Sequence, residues 1–144
     1  MENLSSKSLM IGDWVVYDGD VEYTNPIKIE GMDIATDMLI TSDREDVGFN
    51  GVEPIPLPDD FLDKNGFNKG VYTASQCFIK ETDHVCYSLL LENGNQVVTL
   101  DYYDGKIELE IHTQQGCLTI NNVRYVHEVQ QAMRIMGIKK ELEL

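Results

Sequence analysis

The sequence predicts an α+β protein: a small N-terminal barrel of short strands, a short linking helix, then an antiparallel meander covered by one C-terminal helix. Three observations predict it. The first third consists of brief apolar runs cut by tight turns. Asn93-Gly94 and Asp104-Gly105 are two hairpin signals within a stretch of alternating residues. After Val123 the apolar period changes from two to between three and four. With 144 residues, 42% of them apolar, the chain can bury a core without disulfides or a structural metal.

The elements follow in order. Leu9 to Tyr17 reads as a strand, and Asp18-Gly19-Asp20 as a turn. Val21 to Glu30 is extended, with Pro26 marking an edge or bulge. Gly31-Met32-Asp33 reads as a second turn, Met38 to Thr41 as a third strand, and Ser42 to Val52 as a loop. Short strands with tight turns curl into a small SH3-like barrel, expected over residues 1–52. Pro54, Pro56 and Pro58 stiffen the chain at the boundary with a second unit, residues 53–144.

In that second unit, Asp59 to Asn65 is expected to be helical, with Gly66 in the left-handed position after it. Strands follow over Val71–Lys80, Val85–Leu91, Gln96–Tyr103, Lys106–His112 and Cys117–Ile120. Ile107, Leu109 and Ile111 point to one face, and Glu108 and Glu110 to the other. Asn121 and Asn122 offer caps for a helix from Val123, with Val126, Val129, Met133 and Met136 on its apolar side and Gly137 at its end. The closing IKKELEL alternates weakly, as a terminal strand does.

Charge is the strongest functional signal. The formal net charge is −14. Residues 1–63 hold 15 acidic and 3 basic side chains, a net of −12. Such a surface repels phosphate backbones and anionic membranes, so direct nucleic-acid or membrane binding is not expected. It suits a basic protein partner; the plainer reading is solubility. Cys77, Cys86 and Cys117, with no CxxC, fit buried thiols in a reducing cytoplasm. The N-terminus has no secretory pattern, and no apolar run is long enough for a membrane helix.

Several clusters were weighed for chemistry. Asp18, Asp20 and Glu22 alternate as in a calcium loop, but glycine stands at the second position of that loop and Ile29 at the twelfth. Asp43, Glu45 and Asp46 form a second acidic group around Arg44. These six carboxylates are the candidate partner-binding residues. His84, Cys86 and Cys77 could reach a common zinc, although their spacing is not distinctive. Tyr102-Tyr103 could stack on a ligand, one ring facing the core and the other the surface. No phosphate loop, dinucleotide fingerprint, zinc-protease motif or nucleophile elbow is present. No catalytic residue, metal or cofactor is assigned.

Three blocks, IGDWVVYDG, PIPLPDDFLDKNGF and VRYVHEVQQAMRIMGIKKELEL, occur in an order that resembles a family of small uncharacterised proteins of bacterial prophages and mobile elements. Pro58 departs from the Thr or Ser common there, and Glu128-Val129 from Gln-Leu. The resemblance implies no activity and transfers no site residue. The expected function is therefore a non-enzymatic accessory protein binding a basic partner through the acidic half. Alternatives are an unrecognised small enzyme and a nucleic-acid mimic that inhibits a host DNA-binding protein. Open strand edges also permit a homodimer.

Overall fold

The computed structural model describes residues 9–33, 35–36, 38–42, 47–72, 84–103 and 105–144. The chain is α+β with two antiparallel sheets and few helices. It divides into two compact units, Met1–Leu57 with Tyr125–Gln131, and Pro58–Arg124 with Ala132–Leu144.

The first unit contains β1 (Trp14–Tyr17), β2 (Ile27–Asp33), β3 (Met38–Thr41), β4 (Val47–Gly48) and β5 (Val52–Pro54). They form one sheet in the order β4-β3-β2-β1-β5. The start of β2 pairs with β1, and its remainder pairs with β3. Between Ile29 and Gly31 the register shifts, so Glu30 is the extra residue of a bulge. The expected turn at Gly31-Met32-Asp33 is thus a bent strand. Glycine relieves crowding there, because a Cβ on Gly31 would lie 3.1 Å from Ile40 Cδ1 and push that side chain by a few tenths of an ångström. Strand β1 also starts later than expected: Gly12 has φ 93°, and the Asp13 N–H donates to the Met10 carbonyl at 3.1 Å, so residues before Trp14 turn.

Leu9, Val15, Ile27, Ile29, Leu39, Val47, Phe49 and Val52 form this unit's core. Among the described residues no pairing joins β4 to β5, so the expected barrel is an open sheet. Each of these end strands has only two or three residues, which leaves little backbone for a closing ladder.

The second unit contains α1 (Phe61–Lys64), then β6 (Asn68–Tyr72), β7 (His84–Leu91), β8 (Gln96–Tyr103), β9 (Lys106–Thr113) and β10 (Gly116–Ile120) in meander order. Register aligns Leu89, Val98 and Ile111 in one cross-strand row and Leu100 with Leu109 in the next, all buried. Phe61, Leu62, Phe67, Val123, Met133, Ile138 and Leu142 are buried as well.

Both glycine stops behave as expected. Gly66 and Gly137 have φ of 84° and 77°. In each case the following N–H reaches back five residues: Phe67 to Leu62 O at 3.0 Å, and Ile138 to Met133 O at 2.9 Å. The hairpins differ in detail. Tyr103 pairs with Lys106 across a two-residue turn, as Asp104-Gly105 predicts. Leu91 instead pairs with Gln96, so the Asn93-Gly94 signal sits in a four-residue loop where Glu92 and Asn93 also take positive φ. Thr113 pairs with Gly116, placing the next turn at Gln114-Gln115 rather than Gln115-Gly116.

The second helix, α2 (Val126–Ile135), begins three residues later than expected. Asn122 takes a left-handed φ of 66°, and the reversal delays the helix. Its first turn is capped from inside, the Tyr125 N–H donating to Glu128 Oε1 at 2.9 Å. The closing residues form no strand. Asn65 holds them instead: its Nδ2 donates to Glu143 O at 2.8 Å and its Oδ1 accepts from Glu143 N at 2.7 Å.

The inner row of the meander should dominate the second unit's stability. Leu109→Ala is expected to cost about 2–5 kcal/mol in denaturant unfolding, because a fully buried side chain leaves a cavity. Leu90→Ala, at 62% exposure, should stay within about 0.5 kcal/mol. Asn65→Ala should free the tail, read as faster hydrogen exchange at the Glu143 amide with little change at Leu100.

Candidate functional site

The chemistry-bearing side chains of the first unit lie around both ends of β1. At its start, Asp13 is fully buried. Its Oδ2 accepts from the Met10 N–H at 2.8 Å and from Gln131 Nε2 at 2.7 Å. Beside it, Gln130 Oε1 accepts the Trp14 N–H at 3.0 Å and Nε2 donates to the Gly12 carbonyl at 3.2 Å. Of two adjacent side chains on α2, Gln130 thus satisfies the backbone of the turn that launches β1, and Gln131 the Asp13 carboxylate that caps it. His127 is 5% exposed and stacks on Tyr125, with its Nδ1 sealed from solvent and without a hydrogen bond. Burial holds its pKa below 6.5, against the raising influence of Asp13 and Glu128.

At the far end of β1 stands the predicted acidic turn. Asp18 is exposed, and its N–H donates to Gly51 O at 2.9 Å. Asp20 is a turn-former. Its Oδ1 accepts from the Thr24 N–H at 3.1 Å and the Thr24 hydroxyl at 2.9 Å, and Oδ2 accepts from the Asn25 N–H at 2.9 Å. These donors, the Asn25 and Thr24 amides foremost, hold its pKa below 3.8. Glu22 is exposed. The structure therefore ties Asp20 into its own turn while Asp18 and Glu22 stand exposed. Asp43, Glu45 and Asp46 lie outside the described residues.

One functional group went unsuspected in the sequence. Glu53, on β5, is only 4% exposed, and its Oε2 has no hydrogen-bond donor. Asp18, two residues beyond its partner Val16, is its diagonal neighbour across the β1–β5 pair. Burial first, then that like-charged neighbour, pushes its pKa above 4.5. Nothing in the run Val52-Glu53-Pro54 signals this, because all three residues are buried and no alternation survives.

The other candidates separate. Among the described residues no group of three or more His, Cys, Asp or Glu is placed to hold a metal. Cys77 lies outside the described residues. Cys86 is half-buried and Cys117 exposed, which corrects the expectation of buried thiols: Cys117 sits on the outer face of edge strand β10. Tyr102 packs edge-on against Tyr87 at 5.5 Å, and burial, Tyr87 and Asp59 push its pKa up to about 12. Tyr103, on the opposite face, donates to Glu108 Oε2 at 3.2 Å. Among the described residues no helix is long and apolar enough to cross a membrane. No family model, curated protein or solved structure matches the chain.

The two buried groups give opposite pH limbs. The raised pKa of Glu53 means that the fold favours its protonated form. That stability is fully present below pH 4.5 and is lost as pH rises through the raised value. The lowered pKa of His127 favours the neutral ring, so its contribution is present above pH 6.5 and is lost as pH falls through the lowered value. Thermal unfolding against pH should show Glu53→Gln melting above the wild type at pH 7–8 and converging with it in acid. His127→Gln should flatten the acid limb only.

Proposed function

We propose that this chain is an interaction protein that engages a basic protein partner through its acidic first half. The observation that carries the reading is the exposure of Asp18, Glu22, Glu30 and Asp33 in a stretch, residues 1–63, with a net charge of −12. Exposed like charges gain nothing from one another, and a cationic surface offers each a partner while steering encounter over a long range. The bent β2 and the strand order of the first unit support an SH3-like relationship within the same reading. The resemblance to prophage and mobile-element proteins fits a cytoplasmic accessory role. A nucleic-acid mimic is the narrower form of this proposal, in which the spaced carboxylates stand in for phosphates.

The test is capture from nuclease-treated bacterial lysate with the tagged full chain, read by mass spectrometry at low and high salt. A basic protein should be enriched and released by salt. The variant Asp18→Asn/Glu22→Gln/Glu30→Gln should bind the isolated partner roughly 10- to 100-fold more weakly, since exposed ion pairs contribute up to about 1 kcal/mol each. Undiminished binding by that variant would overturn the reading. Competition by duplex DNA for the same partner would favour the mimic.

A further inference from the structure

We propose that β10 is the docking edge for a second copy of this chain: two β10 strands pair antiparallel about Leu118 and join two meanders into one continuous sheet. The strand ends its sheet, and among the described residues no strand pairs with its outer side. It belongs to the second unit and shares no residue with the acidic surface of the first.

One bond fixes where its free backbone groups point. The Val123 N–H donates to Ile107 O at 2.7 Å, so Ile107 turns its backbone away from β8 and toward the β10 side. That direction alternates along an antiparallel strand, so Leu109 and Ile111 face the same way and bond to their partners Ile120 and Leu118. The turn at Gln114-Gln115 gives the same phase, because the pair flanking a two-residue turn, Thr113 and Gly116, is a hydrogen-bonded one. Cys117 and Thr119 lie between these positions. Both are exposed, and both direct N–H and C=O outward from the sheet.

These four groups are self-complementary. A two-fold axis through Leu118 sets Cys117 opposite Thr119 of the second copy, and Thr119 opposite its Cys117. Each pair then exchanges two hydrogen bonds. Within the strand this is the one register that uses all four groups. Leu118 meets Leu118, and Ile120 meets Gly116, which has no side chain to obstruct it. Leu118 and Ile120 are only half-buried in the single chain, so the pairing also covers apolar surface.

The edge lacks the devices that keep strand edges apart. Its five residues include no charge, no proline and no bulge. Each other edge has one. Strand β4 has two residues, β5 ends in Pro54 with no N–H to donate, and β6 presents exposed Lys69. Charge permits the approach as well. Residues 64–144 hold 10 acidic and 8 basic side chains, a net of −2, against −12 for residues 1–63. The two-fold fit selects a second copy over a foreign strand, because every outward donor meets an outward acceptor and no charged side chain of one β10 faces the other.

The experiment is sedimentation of the full chain over a concentration series, with amide hydrogen exchange on the same samples. The mass should rise from one chain toward two with concentration. Added salt should strengthen the association, since two chains of −14 repel one another, whereas it should release a basic partner. The Cys117 and Thr119 amides should gain protection as the dimer forms, while the Leu118 amide, bonded within the chain, is protected throughout. Thr119→Pro removes one outward donor, and Thr119→Lys places a charge at the seam. Neither removes a bond to β9, so Leu118 should stay protected in both, and each should raise the concentration needed for association by about tenfold or more. If Thr119→Pro loses that protection, Thr119→Lys carries the test. A chain that stays monomeric throughout overturns the proposal. So does a dimer indifferent to Thr119→Lys, or one that forms with the Cys117 and Thr119 amides still unprotected.

Discussion

The first unit depends on one irregularity, the bulge at Glu30. Without it β2 would be straight, and its seven residues would pair with one neighbour on each side along a flat sheet. Ile27 and Ile29 share the core face by ordinary alternation, and the extra residue then moves that face to Met32, which lies opposite buried Leu39. A flat sheet of strands this short could not enclose Leu39 and Val15, both at 0% exposure, from two directions. Beside the bulge, Gly31 leaves room for the Ile40 side chain, whose Cδ1 would lie 3.1 Å from a Cβ placed there.

What the sequence revealed best was backbone conformation that only particular residues accept. Gly66 and Gly137 close helices because positive φ is nearly free for glycine, and their carbonyl-capping bonds are local. The Asp104-Gly105 turn was legible for the same reason. Gly31 shows the limit of this logic. A glycine beside polar residues reads as a reversal, yet here it answers to a side chain nine residues away, which no local pattern encodes. Asn122 is a second case: an asparagine suited to capping a helix instead takes the left-handed conformation, and α2 waits for Glu128 to cap it.

The candidate site was legible by composition but not by role. Asp18, Asp20 and Glu22 look equivalent in the sequence, and hydrogen bonding makes them three different groups: one facing Glu53, one bound into its own turn, one in solvent. Glu53 was invisible because the alternating prolines that follow it read as a boundary between units, where a carboxylate is expected in solvent. Its burial arises from tertiary packing, which has no signature within three residues. The same holds for Asp13 and Gln130, whose partners are more than one hundred positions away in sequence.

These buried polar groups divide into two kinds. Around Asp13 the acceptors have donors: amide hydrogens from Met10 and Gln131 meet the carboxylate, and Gln130 meets both a donor and an acceptor. Such a network fixes the geometry of β1 and asks for nothing further. Glu53 is the other kind: its buried Oε2 receives no donor. Burial first and Asp18 next raise its pKa, which makes the stability of the β1–β5 pair depend on pH. At Asp18 and Glu53 burial and like charge act together, so protonation is part of the folded state's energetics.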